Sequence, residues 1–411
     1  MRDLVRAALC GTALLLCAAC SGLPGTSGTP EDLEARARRI HAQAIVIDTH
    51  SDTTPRFEEA DWSFLERHER GHMDLPRIRE GGLDVQFWSI YMGKREGEGE
   101  AIREAIGRID AVHELVRKHP DEIALAGSVA EIRAGVAQRK LVSLMGVEGG
   151  HIIEGQLSAL RTYYQLGVRY MTLTHSFNTD WADSAGTREP VAPEHNGLTP
   201  FGRDVVREMN RLGMLVDVSH VSDETFYDAI ETSRAPLIAS HSSCRAVADS
   251  ARNMSDDMLR KLAANGGVIM INFYSGYVDM DSAKANDEHR KALAPELEAL
   301  QAQYPNPSPE LRRARAELIA AKPFPQTSLD RLLDHFDHAI RVAGPDHVGI
   351  GADWDGVSSL PKGMDDITHL PALTRGLLER GHSEDTVRKV LGENLLRVLG
   401  AAERIARDLA G

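Results

Sequence analysis

Eight short apolar runs recur along the chain, and segments with the spacing of amphipathic helices separate most of them. Apolar, β-branched and aromatic residues fill these runs almost continuously, which is typical of strands buried on both faces of a parallel sheet. Eight such strands alternating with helices predict an α/β fold, a (β/α)8 TIM-like barrel. The predicted strands are 45–49, 85–91, 141–147, 170–174, 215–219, 237–240, 268–273 and 348–352.

Residues suited to catalysis stand at the ends of seven of the eight predicted strands. In a (β/α)8 barrel the carboxyl ends of all strands meet at one face, so these residues come together in space. A doubly wound sheet would place its site at a single crevice, and the spread over seven strands therefore favours the barrel. The residues are His50 with Asp52, Glu148, His175, His220, His241, Tyr274 and Asp353.

Imidazole and carboxylate groups, the ligands that zinc prefers, dominate this set. His50 and Asp52 are two positions apart on a strand and point to the same side, so they can hold one ion. His220 and His241 can hold a second ion. Two such ions about 3.5–4 Å apart need a shared anion between them. We therefore predict two Zn²⁺ ions bridged by Glu148 and a hydroxide.

Further residues have a functional and a structural interpretation. Asp353 is the predicted catalytic base, which takes the proton of the hydroxide and passes it to the departing amine. Cys244 raises the alternative of a cysteine hydrolase, but no second His–Asn arrangement accompanies it. His335 and His338 have i, i+3 spacing on a predicted helix, where packing or a solvated face is expected.

Arg252 lies in the loop that leaves the sixth predicted strand, from which it can reach over the site. A guanidinium group pairs well with a carboxylate, which suits recognition of the free C-terminus of a peptide. A structural ion pair is the alternative, and the spacing alone does not decide between the two.

The segment 281–328 interrupts the regular spacing between the seventh and eighth predicted strands. It is rich in Ala, Glu, Arg and Leu, and the proline-containing stretch 304–309 divides it into two predicted helices. Such a connection projects from the catalytic face of a barrel. It is predicted to be either a lid or a solvated or oligomer-forming addition. The oligomer considered for the last alternative is a homodimer.

The N-terminus has the features of an export signal. Arg2 and Arg6 form a short basic region before the apolar run 7–19, which is too short to span a bilayer. Small residues before Cys20 resemble the cleavage site of bacterial lipoproteins, which predicts a lipid anchor on Cys20 and a location in the cell envelope. Ordinary signal cleavage with a soluble product is the alternative. The predicted parts are a signal peptide at 1–19, a flexible linker at 20–35 and a catalytic domain at 36–411.

Composition narrows the choice of partners. The 411 residues are 42% hydrophobic and 26% charged, which is ordinary for a globular protein with a large core. The net charge of −14 argues against nucleic acid as a partner and against a basic membrane-binding face. Of the four cysteines, Cys244 alone would remain free in the mature chain, so no internal disulfide is expected.

The motifs around the candidate residues resemble those of the renal, or membrane, dipeptidases, a family of binuclear zinc enzymes related to the amidohydrolase barrels. The resemblance extends from about residue 45 to about residue 400. The matching segments are IDTHSD, GVEGGH, LTHSFNTDWADS, VDVSHVS, ASHSSCRAVADSARNMSDD, INFY and DHVGIGADWDGV.

This resemblance implies a hydrolase that cleaves free dipeptides, including those with a C-terminal D-residue. Another amidase or deacylase on the same metal site, or a catalytically inactive binding lipoprotein, are the alternatives. The implied roles are His50, Asp52 and Glu148 on one zinc, Glu148, His220 and His241 on the other, His175 at the scissile group, Arg252 at the C-terminal carboxylate and Tyr274 beside it.

Overall fold

The computed structural model describes residues 32–59, 61–187, 189–304 and 308–411. The predicted signal peptide, Cys20 and residues 21–31 of the predicted linker lie outside these ranges. Helix α1 (Leu33–Gln43) begins before residue 36, the predicted start of the domain. Within the described ranges, each helix is too short or too polar to cross a bilayer.

All strand pairs of the sheet are parallel, and the ring of strands is closed. The described residues form nine strands, which are β1 (Ile47–Ser51), β2 (Val85–Ile90), β3 (Ile123–Leu125), β4 (Leu141–Glu148), β5 (Val168–Thr172), β6 (Leu215–Asp217), β7 (Ile238–Ser242), β8 (Val268–Ile271) and β9 (Val348–Ile350).

The pairing of β2 with β4, from Val85 opposite Val142 to Ile90 opposite Val147, joins the two ends of the sheet. The eight predicted strands thus form a (β/α)8 barrel, as the alternation of apolar runs and helices indicates. Strand β3 is the addition that the sequence analysis missed. It pairs with residues 141–143 at the start of β4, whereas β5 pairs with the end of β4, so β3 extends the sheet outside the ring.

Helices cover the outside of the ring. Several begin at a Ser, Thr or Asp whose side chain accepts a hydrogen bond from a backbone amide in the first helical turn, as Ser222 does from Thr225 N at 3.1 Å. The helices after α1 are α2 (Leu75–Gly81), α3 (Glu100–Lys118), α4 (Val129–Ala137), α5 (Leu157–Gln165), α6 (Pro200–Leu212), α7 (Asp223–Thr232), α8 (Asp256–Ala264), α9 (Ser275–Val278), α10 (Met280–Gln303), α11 (Pro309–Ala321), α12 (Leu329–Ala343), α13 (Leu370–Glu379), α14 (Glu384–Arg388) and α15 (Asn394–Ala410).

Alternate residues of the strands belong to two hydrophobic clusters, as the two-residue period of a strand requires. On β4, Val142 and Leu144 join the inner cluster, whereas Met145 and Val147 join the cluster between the ring and the helices. Leu395 of α15 also packs in the inner cluster. Apolar side chains therefore line both faces of the ring, and the candidate metal ligands stand at or beyond the carboxyl ends of the strands.

The insertion consists of α10 and α11, which confirms the prediction of two helices in 281–328. It is attached to the carboxyl-end face of the barrel. Arg312 pairs with Glu59 at 3.0 Å, in the segment that follows β1. Ser359, which follows β9, donates to Asn286 of α10 at 3.1 Å. The insertion therefore stands beside the ends of β1 and β9.

Candidate metal centre and active site

Glu148, the last residue of β4, lies at the centre of four imidazole rings. Its Oε1 atom is 3.1 Å from His220 Nε2, 3.4 Å from His241 Nε2, 3.5 Å from His50 Nε2 and 3.6 Å from His175 Nε2. Its Oε2 atom accepts a hydrogen bond from Ser89 of β2 at 3.1 Å. The side chain is 4% exposed, so one buried carboxylate oxygen faces four ring nitrogens that come from four different strand ends.

The outer nitrogens of three of these rings are occupied by hydrogen bonds, which turns the Nε2 atoms inward. His50 Nδ1 lies 2.9 Å from the Tyr170 hydroxyl, and His241 Nδ1 lies 2.8 Å from Ser240 Oγ. His175 Nδ1 lies 3.0 Å from Ser176 Oγ. Such outer hydrogen bonds orient histidine ligands in metal sites.

The inner nitrogens lack ordinary hydrogen-bond partners. His220 Nε2 and His241 Nε2 are only 2.8 Å apart, and His50 Nε2 is buried without a partner among the described residues. Two nitrogen lone pairs at this distance repel each other unless a proton or a cation lies between them. The donor set of imidazole nitrogens and carboxylate oxygens therefore fits divalent metal ions such as zinc.

Three overlapping groups of possible ligands can be formed from these side chains. Each predicted metal ligand belongs to at least one of them, and His175 and Asp353 join them as well. The groups are His50 with Glu148 and His241, Glu148 with His175 and His220, and His50 with Asp52 and Asp353.

Asp353 and Asp52 face each other beside His50. A Cβ atom at Gly356 would overlap carboxylate oxygens of both residues, so only glycine allows the backbone at position 356 to lie against these two carboxylates. Asn272, which follows β8, donates to Asp353 Oδ2 at 3.0 Å and fixes the carboxylate. Asp353 is 8% exposed, and it lies at the edge of the imidazole cluster, next to His50 and Asp52.

Burial and charge separate the protonation states of the two carboxylates. Burial alone would raise the pKa of Glu148, but the surrounding imidazoles hold it well below its usual range. Burial raises the pKa of Asp353 to about 7, although His50 counters part of this effect. Glu148 is therefore suited to bind cations, and Asp353 is suited to exchange a proton near neutral pH.

Burial also lowers the pKa of His220 and of His241 well below the usual value for histidine. Both rings are therefore neutral, which is the form of histidine that binds metals. His220 additionally adopts a left-handed backbone conformation with φ 68°. The amide of Ala185 donates to its carbonyl at 2.8 Å, as does the hydroxyl of Thr174 at 3.1 Å, and these bonds hold the strained residue in place.

Arg252 lies beside His241 on the side of β7 and β8. Its side chain is buried, and Nη2 donates to the His241 carbonyl at 3.2 Å. The guanidinium carbon lies 5.2 Å from the centre of the Tyr277 ring, and Tyr274 meets that ring edge to face at 4.8 Å. Among the described residues, no carboxylate forms an ion pair with Arg252, and its buried Nε has no hydrogen-bond partner. A buried cation of this kind is suited to bind an anionic group of a ligand.

The remaining candidates have structural surroundings. Cys244 is fully buried, burial raises the pKa of its thiol, and His335 Nδ1 accepts a hydrogen bond from its backbone amide at 3.0 Å. His338 binds Asp256 at 2.6 Å. These contacts lie among the outer helices, as predicted for His335 and His338, and they give no support to a cysteine hydrolase.

Several residues around the site were missed by the sequence analysis. Tyr91, which follows β2, contacts the ring of His175 in a tilted arrangement, with a centroid distance of 4.3 Å. Asp217 of β6 accepts from Ser240 Oγ at 2.6 Å and so supports the neighbour of His241. A charged residue within an apolar run, as Asp217 is in LVDVS, was the available signal.

Comparisons with known proteins agree with this geometry. A family model described as membrane dipeptidase (peptidase family M19) matches residues 34–411. Dipeptidase aclJ of Aspergillus oryzae is 36% identical over 348 residues, which are 83% of this chain and 72% of that protein.

Solved structures share the fold over nearly their whole length. The probable dipeptidase PvdM from Pseudomonas aeruginosa is 25% identical with a TM-score of 0.77, and the match covers 91% of this chain and 99% of the other. A metallo peptidase from Rhodobacter sphaeroides, liganded with a phosphinate mimic of the dipeptide L-Ala-D-Ala, is 28% identical with a TM-score of 0.71, covering 87% and 99%.

Proposed function

The chain belongs to the membrane dipeptidase family and is a metallo-dipeptidase, and on this premise we propose that it hydrolyses free dipeptides at two Zn²⁺ ions held around Glu148. His50, Asp52 and Glu148 would hold one ion, and Glu148, His220 and His241 the other. The observation that supports this proposal best is the convergence of four Nε2 atoms on Glu148 Oε1. When bound, such ions acidify a water molecule and polarise the carbonyl that it attacks.

Side chains of the protein supply the remaining steps. Asp353 accepts a proton from the attacking water and passes it to the departing amine, for which its raised pKa of about 7 is suited. His175, held by Ser176 and packed against the ring of Tyr91, binds the scissile group. Burial lowers the pKa of His175, so the ring is neutral at pH 7 and can accept or donate one hydrogen bond.

Arg252 binds the C-terminal carboxylate of the substrate, and Tyr274 lines the same pocket. The buried guanidinium next to His241 lacks a carboxylate partner among the described residues, which supports this role over that of a structural ion pair. A carboxylate held there would place the preceding amide bond near the metal cluster. Recognition of that carboxylate restricts the enzyme to bonds one residue from the C-terminus.

We further propose that dipeptides with a D-residue at the second position are substrates. The ligand of the Rhodobacter sphaeroides relative, a mimic of L-Ala-D-Ala, supports this proposal. A lipid anchor on Cys20 would place the enzyme in the cell envelope, where such bonds occur in cell-wall peptides.

A panel of four compounds tests the proposal with zinc-loaded protein. L-Ala-D-Ala and L-Ala-L-Ala should be hydrolysed, whereas N-acetyl-L-Ala-D-Ala and L-Ala-D-Ala amide should be poor substrates. Hydrolysis of L-Ala-L-Ala alone would refute the acceptance of D-residues. Preference for the N-acetyl compound would favour a deacylase, and no turnover with both metals bound would favour a binding lipoprotein.

A further inference from the structure

The imidazole of His50 is held from behind by a tyrosine on another strand. The hydroxyl of Tyr170, in the middle of β5, lies 2.9 Å from His50 Nδ1 and donates to the backbone carbonyl of Thr49 at 3.1 Å. All three residues are completely buried. The contact joins β5 to β1 across the interior of the ring, over 120 residues of sequence.

The ring of Tyr170 has little freedom to move. It stacks on Phe87 of β2 with a centroid distance of 5.7 Å and belongs to the inner hydrophobic cluster. A Cβ atom at Gly146 would overlap the ring, so the glycine of β4 provides the space that the tyrosine occupies. The position of the hydroxyl is therefore set by the barrel itself.

The proton count at this hydroxyl determines the tautomer of His50. A phenol has one proton, and the carbonyl of Thr49 can only accept, so Tyr170 donates its proton to Thr49. The hydroxyl oxygen then accepts from His50, which places the imidazole proton on Nδ1. In the neutral form of His50, which is the form that binds a metal, the lone pair is then on Nε2, the atom that faces Glu148 at 3.5 Å and Asp52 at 3.6 Å.

The other histidines of the cluster are supported differently. His241 Nδ1 contacts Ser240 Oγ, which in turn donates to the carboxylate of Asp217 at 2.6 Å. His220 Nδ1 is buried and has no partner among the described residues. Of these three histidines, only His50 contacts the hydroxyl of Tyr170. Loss of that hydroxyl therefore leaves the hydrogen bonds of His241 Nδ1 and Ser240 in place.

We propose that Tyr170 is a positioning residue that fixes the Nε2-accepting tautomer of His50 and thereby the affinity of one of the two metal ions. The inference rests on the proposed function, because it requires His50 to be a metal ligand. Outer hydrogen bonds of this kind typically change metal affinity by about 10- to 100-fold. The effect should fall on the ion held by His50 and Asp52, and the ion held by His220 and His241 should be retained.

The variant Tyr170→Phe tests this inference, because it keeps the ring and removes the hydroxyl. Tyr163→Phe is the matched control. Tyr163 is also buried and donates to a backbone carbonyl, that of Ile152 at 3.0 Å, but it lies on α5 outside the site. Zinc content and affinity would be measured by dialysis against zinc buffers of graded free concentration, with melting temperatures of the metal-free proteins as a check on folding.

We expect wild type and Tyr163→Phe to hold two ions equally well, and Tyr170→Phe to bind one of them about 10- to 100-fold more weakly. Excess zinc should restore most of the hydrolysis rate of Tyr170→Phe. If Tyr170→Phe binds both ions as tightly as wild type does, or if Tyr163→Phe shows the same loss of affinity, the inference is overturned and the proposed function stays intact. Wild-type protein that fails to bind two ions would overturn both.

Discussion

The metal cluster and the insertion both depend on contacts between charged groups, but the two regions bury those groups to different degrees. At the cluster, the side chains of His50 and Glu148 are 0% and 4% exposed. At the insertion, the ion pair of Arg313 and Asp61 joins side chains that are 51% and 58% exposed. The exposed pair is the shorter of the two, at 2.5 Å against 3.5 Å between His50 and Glu148, so distance alone does not indicate the importance of a contact.

Solvent explains the difference. An unpaired charge in a buried site costs several kcal/mol, because water no longer stabilises it. An exposed ion pair contributes only about 0–1 kcal/mol, because water and salt screen it. Substitutions in the metal cluster should therefore have large effects, and substitutions that break the ion pairs of the insertion should have small ones.

The largest effect is expected for Glu148→Gln, which removes the negative charge shared by the imidazoles. At least one metal ion should be lost, and kcat/KM for a dipeptide should fall by about 1000-fold or more, beyond the usual cost of losing one preorganised polar group. Elemental analysis and steady-state kinetics measure both. Glu154→Gln is the control, because that carboxylate caps the start of α3 outside the cluster. Two tightly held ions with full activity in Glu148→Gln would remove Glu148 from its role.

Arg252→Met should come next, because it removes the buried guanidinium and retains a side chain of similar length. The loss of a charge-assisted pair to the substrate should cost about 2–4 kcal/mol, or roughly 30- to 1000-fold in kcat/KM. A dipeptide amide lacks the carboxylate and should lose little more. Arg245→Met is the control, because Arg245 pairs with Asp223 in a partly exposed bridge. Equal loss with both substrates would show that Arg252 supports the site generally.

A smaller effect, on stability, is expected at Asp48 of β1. Burial raises its pKa to about 7, despite hydrogen bonds from Ala352 N at 2.7 Å and Gln86 Nε2 at 2.9 Å. The folded protein therefore binds a proton that the unfolded chain releases above about pH 4. Asp48 contributes stability that is fully present below this pH and is lost as the pH rises through about 7.

Asp48→Asn should reduce this pH dependence. The Gln86 amide can turn to accept from the new amide, because its Oε1 has no partner among the described residues. The free energy of unfolding of wild type should fall relative to the variant between pH 4 and pH 8, by about 1–3 kcal/mol. Denaturant titrations at fixed zinc concentration measure this difference. Parallel pH profiles of the two proteins would contradict the prediction.

The smallest effect is expected for the double variant Arg312→Gln and Arg313→Gln, which breaks two ion pairs between α11 and the segment after β1. The free energy of unfolding should fall by about 1 kcal/mol or less, and high salt should abolish the difference. Thermal unfolding at low and high salt provides the measurement. A loss above about 2 kcal/mol would mean that these charges act like those of the buried cluster.

The sequence predicted the barrel well, because strands buried on both faces leave continuous apolar runs. It also predicted which residues meet, because parallel strands end at one face. Strand β3 (Ile123–Leu125) was missed, although β6 and β9 are equally short, because no candidate site residue marks its end and only its first residue is fully buried. Tyr170 was missed because an aromatic residue within an apolar run looks like an ordinary core residue in the sequence. Only the structure shows that its hydroxyl lies beside His50.

The structure shows that the histidines converge, as predicted, whereas their division between two ions stays a prediction. Sequence position assigns a residue to a strand end, but the rotation of each ring depends on hydrogen bonds such as that between His241 and Ser240. His175 illustrates the limit, since it lies as near to Glu148 as His50 does. Its role as a substrate-binding residue stays a prediction, as does the choice between lid and oligomer contact for the insertion.

The closure of the ring by β2 and β4 also has a consequence for the order of events during folding. The candidate ligands come from strands distributed between His50 on β1 and Asp353 after β9, so no short stretch of the chain contains them all. Contacts between residues far apart in sequence form slowly, and a metal site does not exist before its ligands meet. Uptake of the two proposed ions is therefore expected to be a late step in folding. The time course of metal binding would then show when the last strands join the ring.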